Sequence, residues 1–213
     1  MVLYDFLAPA YDPVLKPIYA PFRRRAFEAL DLAPGAAVLD LACGTGQNFS
    51  YLRVEMEGYG KIVGVDISKG MLKKAELAAQ RQGRVQVWLL KMDAAQLTST
   101  LLEQTVGQAE VDAVVCTYGF TAMKNWKEVF QRSFELLKPG GAYFIHDIHA
   151  EVRTRRVKAF EIATQVDLTR KSWEPLQELC VDFHFEYLDP SAHIFAGRLF
   201  VARGIKPASS PTR

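Results

Sequence analysis

The stretch AAVLDLACGTGQNF, Ala36–Phe49, decides the reading of the chain. Its apolar opening, Ala36–Leu41, suits a strand buried on both faces, yet it carries an acid, Asp40, just before its end. Small residues follow. Ala42, Gly44 and Gly46 make a loop in which the backbone can approach a ligand closely. Gln47 and Asn48 then open an amphipathic segment whose first N–H groups have no partner within the helix and point into the same space. Strand, tight loop and helix in that order form a cradle for a nucleoside-bearing ligand.

Acidic residues choose between nucleosides. A second apolar run, Lys61–Val65, ends at Asp66, roughly 20 residues past the glycines, where a nucleotide-binding α/β unit places the carboxylate that accepts hydrogen bonds from a ribose. Dinucleotide enzymes share that feature, but their loop reads G-x-G-x-x-G and leaves room for pyrophosphate. Here the loop is D-x-A-x-G-x-G, with Phe49 where the last glycine would stand. A carboxylate at Asp40 would repel a pyrophosphate and attract an ammonium. S-adenosylmethionine carries an ammonium and an adjacent sulfonium at its methionine end.

With these residues the chain resembles the class I S-adenosylmethionine-dependent methyltransferases. The matching motifs are VLDLACGTG (Val38–Gly46), VGVDIS (Val63–Ser68) followed by Met71 and Leu72, KMDAA (Lys91–Ala95), VDAVVCTYGF (Val111–Phe120) and LLKPGGAYFI (Leu136–Ile145), in the family's order and spacing. The opening YDFLAPAYD, Tyr4–Asp12, is most similar to the ubiquinone/menaquinone C-methyltransferase group and the small bacterial phospholipid N-methyltransferases. The resemblance implies an α/β fold: a doubly wound, Rossmann-like, seven-stranded, mostly parallel sheet whose last strand is antiparallel. It also implies a cofactor shell. Tyr11 lies near the methionine carboxylate; Asp40, Ala42, Gly44, Gly46 and Asn48 surround the methionine end; Asp66 holds the ribose. Ile67 and Met71 flank the purine, Asp93 and Ala94 meet the adenine edge, and Thr117 faces the reacting methyl group beside Tyr118. Ala42 stands where many relatives carry glycine.

Composition fits an ordinary globular enzyme. The 213 residues are 49% hydrophobic, and 26 basic against 24 acidic side chains leave a net charge of +2, which asks for no nucleic acid. Cys43, Cys116 and Cys180 are scattered without disulfide or zinc-ligand spacing. No apolar run approaches the ~20 residues a membrane span requires, and the N-terminus has no signal-peptide pattern, so a cytoplasmic protein is expected. The expected organisation is a lid segment over 1–34, the methyltransferase domain over 35–205 and a flexible tail over 206–213.

The lid interleaves Tyr4, Phe6, Tyr11, Tyr19 and Phe22 with Pro9, Pro13, Pro17 and Pro21, a pattern of short helical turns laid over the body. Arg23–Arg25 read either as a solvated helix face or as a weak contact with an anionic membrane surface. Helices are expected over Gln47–Gly58, from a Ser68 cap to Gln82, and over Leu97–Gly107, Trp126–Leu137, Val152–Asp167 and Ser172–Leu179. The remaining strands are Arg84–Leu90, Val111–Cys116, Ala142–Ile145, Val181–Leu188 and His193–Arg203, the last two joined by the turn DPSA.

The segment IHDIH, at the expected end of the fifth strand, is where acid–base chemistry is sought. His146 and Asp147 are the candidate catalytic residues, able to take a proton from the acceptor, with His149 nearby. Two histidines and an aspartate so close together match no zinc pattern, and no metal is expected. Phe160, Ile162, Trp173 and Leu176 are expected to wall the acceptor pocket, in parts of the chain that shape it in the resembled enzymes. The acceptor is read as small and lipophilic or aromatic, quinone-like, with a phospholipid amine or a catalytically silent cofactor-binding module as alternatives. Oligomeric state is not legible.

Overall fold

A computed structural model describes residues 19–188 and 197–208. Tyr11, most of the expected lid, the DPSA turn and the end of the tail lie outside the described residues. Helical residues 19–27 (α1) precede β1 (Ala37–Leu41), α2 (Phe49–Glu55), β2 (Tyr59–Asp66), α3 (Lys69–Ala79) and β3 (Arg84–Lys91). Then come α4 (Ser99–Val106), β4 (Val111–Thr117), α5 (Trp126–Glu135), β5 (Leu137–His149), α6 (Arg155–Thr164), α7 (Glu174–Leu179), β6 (Val181–Tyr187) and β7 (Arg198–Ile205).

The sheet has seven strands in the order β3-β2-β1-β4-β5-β7-β6. β1 pairs in parallel with β2 and β4, and β7 runs antiparallel to both β5 and β6, as the sequence led us to expect. The order reverses beside β1, so the C-terminal ends of β1 and β4 flank the crevice in which such sheets bind ligands. Every residue of β1 is buried, and alternate side chains serve opposite layers. Val38 packs with Phe27, Phe49, Leu52 and Phe144 on one face. Leu39 and Leu41 pack with Phe120, Phe130 and Tyr143 on the other. Each buried leucine contributes roughly 2 kcal/mol. Among the described residues no helix is long and apolar enough to cross a membrane.

Several element boundaries differ from those read in the sequence, each for a local reason. α2 starts two residues later than expected, with Asn48 at its cap position, because the Phe49 N–H closes a tighter turn onto the Gly46 carbonyl first. α6 covers only Arg155–Thr164: Thr154 caps its start by accepting from the Val157 N–H, and Gln165 ends it in the left-handed region. Ser172 does not cap α7; its hydroxyl is buried without a hydrogen-bond partner, and Trp173 occupies the cap position. The largest difference is β5, which extends through the IHDIH segment because β7 pairs with it as far as His149↔Arg198. Polar residues that look like a strand end are thus carried inside the sheet. Ile162 is exposed on α6 and Leu176 is fully buried in the core, so neither walls a pocket as expected.

Two glycines share a backbone but not their surroundings. Gly46 and Gly58 both adopt φ 78, and a Cβ at Gly46 would come within 2.6 Å of the Phe49 ring, whereas one at Gly58 meets nothing within 4 Å. Gly46→Ala should therefore lose about 3 kcal/mol in urea unfolding, and Gly58→Ala about 1 kcal/mol, the backbone cost alone. Equal losses would show that crowding at Phe49 does not constrain the loop.

Candidate active site

The site is built from the C-terminal ends of β1, β2, β3 and β4, closed from above by α1. At its centre Asp40 is fully buried, held in β1 between Gly64 and Val115. Its Oδ1 accepts from Asn48 Nδ2 at 2.8 Å, while its Oδ2 is buried with no hydrogen-bond partner. Asn48 in turn accepts from Arg23, whose guanidinium also donates to Thr117 Oγ1 at 2.8 Å. Asn48 and Thr117 lie 3.1 Å apart through Nδ2 and Oγ1. Burial pushes the Asp40 carboxyl up to about 7, opposed by the Asn48 hydrogen bond and the Arg23 charge and assisted by Asp66.

Around this centre the loop residues gather as the motifs predict. Asp66 Oδ2 accepts from the Gly44 N–H at 2.9 Å and its Oδ1 from Ser68 N–H at 2.8 Å, so this carboxylate shapes the glycine loop as well as facing the crevice. Ala42 stands in the left-handed region at φ 50, a conformation that favours glycine. Asp93 accepts from the Ala95 N–H at 3.0 Å and from Asn125 Nδ2 at 3.2 Å, with Ala94 buried beside it. Met71 is buried at the start of α3; Ile67, next to Asp66, is 47% exposed. Asp40, Ala42, Gly44, Gly46, Asn48, Asp66 and Thr117 are thus brought to one place, and Asp93 and Ala94 to the neighbouring strand end.

His146 and Asp147 do not stand at an open strand end. Both are fully buried within β5. Asp147 accepts from Thr121 Oγ1 at 2.9 Å, from Thr121 N–H at 3.1 Å and from Ile148 N–H at 2.8 Å, and burial raises its carboxyl to about 6. These contacts make it a staple for the β4–α5 loop. His146 contacts Tyr118 Oη through Nε2 at 2.6 Å and the Phe200 carbonyl through Nδ1 at 2.8 Å. His149 lies beyond, 2.9 Å from Tyr187 Oη and edge-on to Trp173. The same loop is held from its other side by Arg170, which donates to the carbonyls of Phe120 and Met123.

Arg23 is the residue that sequence reasoning misplaced. Arg24 and Arg25 are exposed, with Arg25 donating to the Leu188 carbonyl, but Arg23 is only 5% exposed and points into the crevice. The three do not form one basic face. A signal was present: Arg23, Ala26, Phe27 and Leu30 fall at i, i+3, i+4 and i+7, the spacing of a buried helical stripe. A roof of Tyr19, Phe22, Tyr118, Phe160, Ile148 and Leu199 packs beside it.

The unpartnered Asp40 oxygen sets a pH signature. The Asp40 carboxyl gives up its proton near pH 4 in the unfolded chain but only near 7 in the folded protein, so folding takes up a proton between those values and stability falls as pH rises through the window. Asp40→Asn keeps the Asn48 contact and removes that loss. The variant should gain on the parent by up to about 1.4 kcal/mol per pH unit between pH 4.5 and 7. Parallel stability curves over this range would mean that Asp40 titrates normally.

Residues 38–141 match the family model described as a methyltransferase domain. The demethylmenaquinone methyltransferase of Lactiplantibacillus plantarum is 31% identical over 143 residues, 65% of this chain and 57% of that protein, so the chain spans about half the length of the curated relatives it matches. A Haloferax volcanii methyltransferase solved with a methyltransferase activator superposes with a TM-score of 0.74 at 16% identity, covering 96% of this chain and 97% of the other. Haemonchus contortus phosphoethanolamine N-methyltransferase 2, solved with S-adenosyl-L-methionine, gives 0.65 at 17% identity over 87% of this chain and 52% of that one. Sheet order, the acids at the strand ends and the matched segment agree: residues 38–141 match a methyltransferase domain, and the chain has the fold of these solved methyltransferases.

Proposed function

We propose that this protein transfers a methyl group from S-adenosylmethionine to a small lipophilic or aromatic acceptor of quinone-like character. One observation carries the cofactor part of the reading: the buried Asp40 oxygen without a partner, at the end of the central strand, which a bound ammonium group would satisfy. The remaining residues suit the rest of the molecule. Arg23, already pointing into the crevice from α1 with its Nε unpartnered, meets the methionine carboxylate. Asp66 accepts from the ribose hydroxyls, Ile67 and Met71 flank the purine, and Asp93 with Ala94 meets the adenine edge. Tyr11 belongs to the same proposal by resemblance.

When bound, the cofactor supplies an electrophilic methyl whose leaving group is a neutral thioether. What falls to this chain is alignment and exclusion of water. Thr117 and Tyr118 border the reacting end, and the Tyr19, Phe22 and Phe160 roof offers an apolar, aromatic surface to the acceptor. His146 serves the acceptor side through Tyr118, and Asp147 serves it by holding the loop that carries Thr121. The named activity of the Lactiplantibacillus plantarum relative supports a quinone-like acceptor.

Calorimetric titration of S-adenosylmethionine in buffers of different ionisation enthalpy tests the cofactor reading. Because Asp40 holds its proton up to about 7, binding at pH 6 should release close to one proton, and affinity should climb about tenfold per unit from pH 5.5 to 6.5. Asp40→Asn should bind at least about tenfold more weakly at pH 7 and release no proton. A folded parent that ignores the cofactor sinks the proposal. Methyl transfer to 1,4-naphthalenediol but not to ethanolamine phospholipid vesicles is expected; the reverse would overturn the acceptor class.

A further inference from the structure

Tyr118, the first residue after β4, holds a backbone that aromatic residues avoid: φ is 55, in the left-handed region. Such an outlier persists only where its surroundings hold it. Here one residue, His146, holds it twice over. The Tyr118 N–H donates to the His146 carbonyl at 2.8 Å, and Tyr118 Oη lies 2.6 Å from His146 Nε2.

The direction of the side-chain bond follows from the other ring nitrogen. His146 Nδ1 lies 2.8 Å from the Phe200 carbonyl, which can only accept, so Nδ1 carries the hydrogen. Burial keeps the ring neutral by pushing its pKa down to about 3. A neutral ring protonated at Nδ1 has a bare Nε2, so the phenol must donate to it. The Tyr118 hydrogen is thereby committed to His146, and the oxygen of this half-buried residue is left to act as a hydrogen-bond acceptor. Its ring stands against Tyr19, with centroids 4.6 Å apart, and Arg23 lies 5.1 Å from its centroid, which puts the phenol beside the Arg23, Asn48 and Thr117 cluster.

We propose that Tyr118 Oη accepts a hydrogen bond from the methyl acceptor beside the atom to be methylated, and that His146 is the positioning residue that keeps this oxygen an acceptor. This rests on the methyl-transfer reading above. It also narrows the substrate: the acceptor brings a donor, an aromatic hydroxyl or an N–H, so a quinone-like ring binds in its reduced, hydroxylated form. Sharing that hydrogen with Tyr118 makes the acceptor more electron-rich at the atom that attacks.

The test uses the full chain with saturating S-adenosylhomocysteine and two ring probes, 1,4-naphthalenediol and 1,4-dimethoxynaphthalene, which lacks the donor. The parent should bind the diol at least about thirtyfold more tightly. Tyr118→Phe and His146→Leu should each reduce that preference to about threefold or less by weakening the diol, and the double variant should be no worse than either single one. His146→Gln, whose amide oxygen can accept from the phenol, should recover most of the preference. A diol preference that survives in Tyr118→Phe overturns the proposal, as does additivity of the two changes. So does a parent that binds S-adenosylhomocysteine yet shows no diol preference. Failure of the parent to bind S-adenosylhomocysteine would instead bring down the cofactor reading.

Discussion

An acid that cannot leave the interior organises this protein. Asp40 sits in the central strand with its backbone paired on both sides, so the carboxylate stays out of water whatever its charge. Leaving one buried oxygen unsatisfied costs on the order of 1–3 kcal/mol, and the neighbouring groups reduce that cost without removing it. Asn48 supplies a donor and Arg23 an opposing charge, and Thr117 ties the two together from the adjacent strand. The arrangement is worse for folding than an apolar residue would be and better for holding a cation. The same deficit in the folded protein is what a ligand can recover.

Fixing the loop after β4 falls to β5 and the segment after it. The β4–α5 loop carries Tyr118, Thr121 and Met123 and would be loose if held only by its ends. Asp147 binds the N–H and the hydroxyl of Thr121, Arg170 takes the carbonyls of Phe120 and Met123, and His146 grips Tyr118 by backbone and side chain. The Asp167 N–H adds a bond to the Thr121 carbonyl. Long pairing of β5 with β7 is what brings His146 and Asp147 under this loop. The polarity of these two residues therefore reflects second-layer support of a loop rather than direct exposure to a substrate.

Closure over the crevice depends on one helix. Phe27 and Leu30 anchor α1 in the core, while Arg25 reaches the Leu188 carbonyl and approaches Glu186 at 3.8 Å across to β6. That exposed pair contributes little by itself. These two anchors set the helix at a height where Arg23 drops into the crevice and Tyr19 reaches Tyr118. The Arg23 and Tyr118 contacts are thus joined through a single turn of helix.

Local patterns determined most of the architecture. Alternating apolar runs with small-residue loops specify parallel strands and their crossover helices, and an acid just after or inside each run marks the ligand side, because strand ends in such sheets have only one functional edge. Asp40, Asp66 and Asp93 were legible for that reason, as was the glycine loop; the antiparallel last strand was expected from the family resemblance. The tertiary structure decided what depends on partners far along the chain. Whether IHDIH ends a strand or continues it depends on β7, more than fifty positions later in the case of His146 and Phe200. Whether Arg23 faces solvent or the crevice depends on where Phe27 and Leu30 find their core. The first choice is not encoded in the few residues on each side; for the second, the stripe of Arg23, Ala26, Phe27 and Leu30 marks a buried face but not the groups that come to meet the guanidinium.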